Sequence, residues 1–327
     1  MPVKNAATYL PEALRSIACQ HWRDYEVVVV DDGSTDHTAE IVRHQGANDA
    51  RVRLFRRDAE GIVSALNFGL EQCRASLVAR MDGDDVMHPA RLACQYEAFQ
   101  NSPDIALSAT AVNLFPVQAV GVGMYEYINW QHGLTTPEAL AANIFWEAPF
   151  VHPSVMFDRD VVLQAGGYAD GPFPEDYELW LRLHARGARF MRLATPLLSW
   201  RQHPGSLSRT DSRYSQSGFD SVRVRYLCQH LRGRGVNTVV VWGAGRRTRK
   251  RARALLAENL DIVAWIDIDP LKVGKTLNGI PVHAPSWLCG RDAVVLAYVR
   301  AHGARALIAN ELEQMGLRAG HEYWPVG

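Results

Sequence analysis

The stretch Glu26-Val-Val-Val-Val-Asp-Asp-Gly-Ser-Thr-Asp36 decides how this chain of 327 residues folds. Four consecutive β-branched valines form a short apolar run bounded by turn residues, which reads as a buried strand. The strand ends in two carboxylates, Asp31 and Asp32, and Asp32-Gly-Ser-Thr-Asp36 then supplies a turn and a helix cap.

Working outward, the pattern from Ser34 suits a helix to about His44, Val52 to Phe55 a second strand, and Gly61 to Cys73 a second helix. Leu77-Val-Ala-Arg-Met81 reads as another strand that runs into the acidic turn Asp82-Gly-Asp-Asp85, before Pro89 opens a helix. Strand and helix alternate, which predicts a parallel, twisted sheet of the α/β class. Acidic groups therefore gather at strand carboxyl ends, where open α/β sheets place their ligands.

Further along, Phe115 to Trp146 is rich in glycine and aromatics and lacks a clear period, so it reads as an acceptor-side insertion or a long connection. Glu175 to Arg186 reads as an amphipathic helix with Glu175 and Asp176 in its first turn, where a helix N-terminus favours carboxylates. After a polar stretch, a helix from about Phe219 to Leu231 ends at Gly233-Arg-Gly235. Thr238 to Trp242, the turn Gly243-Ala-Gly245, a basic helix from Arg246 and the strand Ile262 to Ile266 then make a compact βαβ start. The expected organisation is a larger α/β domain over 1–210, a helical linker over 211–235 and a small α/β domain over 236–327.

Lysine plus arginine and aspartate plus glutamate balance at 35 each, which removes any global electrostatic reason to expect a nucleic-acid partner. Five scattered cysteines argue against a disulfide framework or a zinc site and fit a reducing, cytoplasmic setting. No apolar run approaches the ~20 residues that span a bilayer, which leaves peripheral contact at the inner membrane face as the membrane expectation.

Taken in order, Asp31-Asp-Gly-Ser-Thr-Asp36, Met81-Asp-Gly-Asp-Asp85, Pro174-Glu-Asp-Tyr-Glu-Leu-Trp180 and Arg201-Gln-His-Pro-Gly-Ser206 resemble family 2 glycosyltransferases of the GT-A fold, nucleotide-diphospho-sugar transferases. The resemblance extends from Pro2-Val-Lys-Asn5 to about Ser208 and includes Asn67 and His152-Pro-Ser154. It implies inverting transfer of a sugar from a nucleotide-sugar donor, expected to be UDP-linked, to a saccharide or lipid-linked acceptor hydroxyl in polysaccharide or glycolipid biosynthesis. A donor diphosphate needs its leaving-group charge neutralised, which a hard cation such as Mg²⁺ or Mn²⁺ held by oxygen ligands does.

By the same resemblance Asp84 touches the metal and Asp82 the ribose or the metal shell. Asp32, supported by Asp31, reads the nucleotide base, while Lys4, Asn5 and Asn67 line the donor site. His203 is a candidate ligand for the metal or the diphosphate, because a neutral imidazole accepts a borderline cation. Inverting transfer needs a base, for which Asp176 is the candidate and Glu175 its orienter, since adjacent carboxylates in a closing pocket raise at least one pKa. Tyr177 and Trp180 could stack under a sugar, but aromatics at helical spacing are ordinarily core, and Trp180 is expected to be buried.

One departure concerns the start of the chain: the family pattern sets a strand of ~5 to 6 residues immediately before Pro2-Val-Lys-Asn5. Only Met1 stands there, so the resemblance implies a natural chain that begins upstream.

In the C-terminal part, Gly243, Gly245 and Asp267 have the spacing of a phosphate-cradling turn and a ribose-binding acid, with Thr248 where a third glycine would stand. From Val239 to about Trp287 the chain resembles the Rossmann-like N-terminal domain of bacterial sugar acyltransferases. The basic helix from Arg246 to Arg253 reads as a solvated face, or as a clamp for phosphate or anionic lipid. Two readings compete with transfer: a catalytically inactive nucleotide-sugar sensor, and an oxidoreductase working through the Gly-Ala-Gly turn.

Overall fold

The computed structural model describes residues 1–301 and 303–327. They form two compact units, one of 1–137 with 150–212 and one of 138–149 with 213–327.

In the first unit, strands β1 (Pro2–Val3), β2 (Val27–Asp32) and β3 (Val52–Arg57) form a parallel sheet in that order. Helices α1 (Leu10–Ala18), α2 (Thr38–Asn48) and α3 (Ile62–Gln72) alternate with them. Val27 and Val29 of β2 join a core that contains Leu10, Leu14 and Ile17 of α1, whereas Val28 and Val30 join Ala65 of α3. Burial on both faces is why the strand is a continuous run rather than an alternating one. Each such valine contributes about 1.5–3 kcal/mol.

Next come β4 (Leu77–Ala79), β5 (Val86–Met87), α4 (Arg91–Asn101), β6 (Ile105–Phe115), α5 (Val122–His132) and α6 (Pro137–Asn143). They are followed by β7 (Val155–Asp158), α7 (Arg159–Gln164), α8 (Glu175–Ala185), β8 (Arg189–Arg201) and α9 (Leu207–Thr210). The second sheet runs β4-β7-β6-β8-β5.

Three expectations need correction. The second sheet is mixed: β6 and β8 run parallel, but β4 with β7, β6 with β7 and β5 with β8 are antiparallel. Strand and helix alternation holds only through β4, and the 39-residue return between β6 and β7 is no crossover of the βαβ kind. Secondly, α2 begins at Thr38 rather than Ser34, because Gly33 turns the chain at φ +72° and Asp36 accepts from the Thr38 amide at 3.0 Å. Thirdly, the stretch 115–146 contains α5 and α6; glycines and evenly spread aromatics hid their period. Tyr177 and Trp180 are both fully buried.

In the second unit, β9 (Thr238–Trp242), β10 (Asp261–Ile266), β11 (Thr276–Leu277), β12 (Ile280–His283), β13 (Val295–Ala297) and β14 (Tyr323–Pro325) form one sheet. Its parallel part has the order β12-β10-β9-β13-β14, the doubly wound arrangement in which the first strand is central. Helices α10 (Gln216–Gly233), α11 (Arg246–Ala257) and α12 (Ala304–Gln314) complete the unit. Asp220 of α10 pairs with Arg223 at 2.6 Å and Arg251 at 2.8 Å, and Glu147 lies 3.6 Å from Arg223, which ties 138–149 to this unit. Among the described residues, no helix is long and apolar enough to cross a membrane.

Candidate active site

The carboxyl ends of β1 and β2 gather the first set of polar groups. Asp31 is fully buried; its Oδ1 accepts from the Ser34 amide at 2.9 Å and its Oδ2 from Arg56 Nε at 3.3 Å. Asp32 Oδ1 accepts from the Glu60 and Gly61 amides at 2.8 and 3.1 Å, and Lys4 Nζ stands 3.3 Å from Oδ2. Asn5, at φ +48°, donates its amide to Ser34 Oγ and accepts from the Thr35 amide on Oδ1, both at 2.9 Å. Lys4, Asn5, Asp31 and Asp32 thus share one rim.

The acidic turn lies directly against this rim. A Cβ on Gly83 would come within 3.0 Å of Val3 Cγ1, so the absence of a side chain is what lets the turn approach β1. Arg80, buried, pairs with Asp82 at 2.6 Å. His203 Nε2 lies 2.8 Å from Asp84 Oδ2, while the Arg201 amide donates to Asp85 Oδ1 at 2.8 Å. Arg201 also donates Nε to the Asp84 carbonyl at 2.6 Å and pairs with Glu12, so the end of β8 clamps the turn.

Asp82, Asp84 and Asp85 each offer an oxygen, and these atoms lie within 4.8 Å of one another. Burial and then the neighbouring Asp82 push the Asp84 carboxyl above its usual range, and the same two causes, with Asp84, push buried Asp85 further up. Asp85 Oδ2 is buried and without a hydrogen-bond partner. Crowded, partly desolvated carboxylates with a spare oxygen form the donor set a hard divalent cation fits, with the His203 imidazole alongside. Asp85, the least assigned member of the turn in the sequence reading, belongs to this cluster.

A second acidic pair opens α8. Glu175 is buried and Asp176 half-buried, and Asp176 Oδ1 accepts from the Tyr177 amide at 2.7 Å. Burial, and then the charge of Glu175, push the Asp176 carboxyl up to about 7. Arg80 acts on this pair as well as on Asp82, so one buried cation faces both acidic groups.

Asn67 is engaged with Tyr168: its Oδ1 accepts from the Tyr168 amide at 2.8 Å and its Nδ2 donates to the Tyr168 carbonyl at 2.9 Å. Sequence reasoning missed Arg80 and Tyr168. The first directly precedes Met81-Asp-Gly-Asp, a positional signal that was available; nothing in the sequence marks the second. In the other unit, Asp267 closes the Gly243-Ala-Gly245 turn, with Oδ2 accepting from the Ala244 amide at 2.9 Å and Oδ1 from the Asp269 amide at 3.0 Å. Lys272 stands 3.2 Å from the same carboxylate.

Comparison with known proteins agrees with this geometry. The O-antigen biosynthesis glycosyltransferase WbnJ of Escherichia coli is 29% identical over 226 residues, 68% of this chain and 86% of that protein. The amylovoran biosynthesis glycosyltransferase AmsE of Erwinia amylovora is 30% identical over 200 residues, 59% of this chain and 70% of the relative. Escherichia coli UDP-Gal:alpha-D-GlcNAc-diphosphoundecaprenol beta-1,3-galactosyltransferase is 28% identical over 186 residues, covering 57% of this chain and 66% of that one. Among solved structures, S. aureus TarS 1-349 in complex with UDP-GlcNAc matches with a TM-score of 0.51 at 18% identity over 71% of each chain, a likeness of GT-A-type fold. Residues 1–159 match the model for glycosyl transferase family 2, and with these relatives the chain belongs to that family and is a glycosyltransferase.

Proposed function

We propose that this chain is an inverting, metal-dependent glycosyltransferase that uses Asp176 as its base and a nucleotide-diphosphate sugar, UDP-linked, as its donor. The observation that carries the reading is a carboxyl group poised near neutral pH on α8 in the same unit as a crowded acidic turn at the donor-side strand ends.

Asp84, Asp82 and His203 would hold Mg²⁺ or Mn²⁺, with Asp85 completing the acidic set. When bound, the cation neutralises charge on the leaving diphosphate. Lys4, Asn5, Asp31 and Asp32 form the rim on which the nucleoside is read. The acceptor hydroxyl oxygen attacks the anomeric carbon from the face opposite the phosphate, its proton passes to Asp176, and the electrons of the breaking C–O bond leave with the nucleoside diphosphate. Attack from the opposite face inverts the anomeric centre.

The named products of the relatives support a saccharide or lipid-linked acceptor and a place in surface polysaccharide biosynthesis. An acceptor of that kind is consistent with catalysis at the inner membrane face.

Release of nucleoside diphosphate from a panel of sugar nucleotides, with Mn²⁺ or with chelator, tests the reading in wild type, Asp84→Ala and Asp176→Asn. Turnover that needs the cation and vanishes in both variants is expected. Donor binding without turnover under every condition would replace the transferase by the sensor.

A further inference from the structure

We propose that His152, fixed by Tyr168 and Asn67, is a positioning residue that keeps Glu175 anionic beside Asp176. The inference rests on the reading of Asp176 as the base.

The chain of contacts starts at Asn67, whose amide clamps both the N–H and the carbonyl of Tyr168. There is no slack in this clamp, because Gly167 adopts φ +68° and a Cβ there would reach 2.5 Å from Asn67 Oδ1. Held in this way, the buried Tyr168 brings its hydroxyl to 2.9 Å from His152 Nε2. On the other edge of the ring, His152 Nδ1 lies 3.9 Å from Glu175 Oε1. Trp180 meets the imidazole nearly edge-on, with centroids 5.9 Å apart, which stops the ring from turning away.

Charge then selects the tautomer. Burial, followed by the charge of Arg80, holds the His152 pKa well below its ordinary value, so the imidazole is neutral and carries one N–H. Tyr168 Oη can donate to Nε2 or accept from it; the negative charge of the Glu175 carboxylate on the other edge favours the ring proton on Nδ1, and Tyr168 then donates to Nε2. The opposite tautomer would aim a lone pair at that carboxylate and disfavour its anion. The charged or titratable groups that face the Glu175–Asp176 pair include Arg80, His152 and Tyr168. Arg80 lowers the proton affinity of Asp176 and anionic Glu175 raises it, so neutralising Glu175 would make Asp176 a weaker base.

Tyr168→Phe removes only the hydroxyl. In the full chain we expect it to shift the acid limb of the kcat–pH profile for nucleoside diphosphate release downward by about one unit, with donor KM unchanged and Tm lowered only by the loss of one buried hydrogen bond. His152→Leu should shift the limb in the same direction, and His152→Asn, which keeps an N–H near the Nδ1 position, should restore most of it. A Tyr168→Phe limb that stays in place overturns the proposal, as does an effect confined to KM. Should the variants fail to fold, ¹⁵N NMR of His152 in the wild-type enzyme reads the tautomer directly, with Nδ1–H expected and Nε2–H overturning. An Asp176→Asn enzyme that still turns over sinks the base itself, whereas an inactive Asp176→Asn beside an unmoved Tyr168→Phe limb rejects only the role of His152.

Discussion

Turnover should rise about tenfold between pH 6 and pH 8, and Asp176 should be the reason. A carboxyl with a pKa of about 7 is roughly 9% ionised at pH 6 and roughly 91% at pH 8. An aspartate at its ordinary value would be ionised at both and give a flat profile. Burial leads the causes that lift Asp176 and Glu175 follows, so the limb belongs to the folded site and not to the residue type. The assay is the initial rate of nucleoside diphosphate release at saturating donor, acceptor and Mn²⁺. Asp84 and Asp85 also titrate above their usual range, and a divalent ion competes with their protons. Raising the Mn²⁺ concentration should therefore move any limb due to the acidic turn to lower pH while leaving the Asp176 limb in place. Asp176→Asn should lose about 10²–10⁴-fold in kcat. A flat wild-type profile from pH 5.5 to 8.5, or an Asn variant within tenfold of wild type, would refute the assignment.

The same residue makes a stability prediction of opposite sense. Because the folded-state pKa of Asp176 is raised, the native chain binds the proton more tightly, and stability falls as pH rises from the unfolded value toward 7; thermal scans should show Asp176→Asn more stable than wild type at pH 8 and no more stable at pH 4. Asp84→Ala should abolish the heat of Mn²⁺ binding in calorimetry and the metal dependence of turnover together. Gly33→Ala should cost about 2–4 kcal/mol in urea unfolding, since a side chain at φ +72° is strained and its Cβ would meet the Ala59 amide nitrogen at 2.9 Å. Removing the buried cation in Arg80→Gln should raise the acid limb of the rate profile, the reverse of Tyr168→Phe, because Arg80 lowers the proton affinity of Asp176.

How much of this was legible in the sequence follows from which interactions are local. Valines buried on both faces leave an unbroken apolar run, so β2 and the carboxylates at its end could be placed from Glu26 to Asp36 alone. The Asp82-Gly83-Asp84-Asp85 turn was equally plain, because the glycine that permits its approach to β1 sits inside it. By contrast, the antiparallel pairing of β7 with β4 and β6 is set by partners 46 to 81 residues away, and no short-range pattern encodes it. The helices α5 and α6 were obscured because aromatics and glycines spread around α5 and leave no single apolar stripe to read.

Function was harder to read where a side chain spends its polar atoms on the backbone. Asn67, placed on the donor by resemblance, bonds Tyr168, 101 residues away in the chain, through both ends of its amide. Asp267 has the right spacing for a ribose contact, yet its oxygens hold the Ala244 and Asp269 amides and face Lys272. Spacing shows that a polar residue reaches a strand end; only the hydrogen-bond inventory shows whether an acceptor is left for a ligand. Among the acidic groups, Asp85 keeps a buried oxygen without a hydrogen-bond partner. Leaving that acceptor spare carries a desolvation cost of about 1–3 kcal/mol, and the proposed cation is the ligand that would offset it.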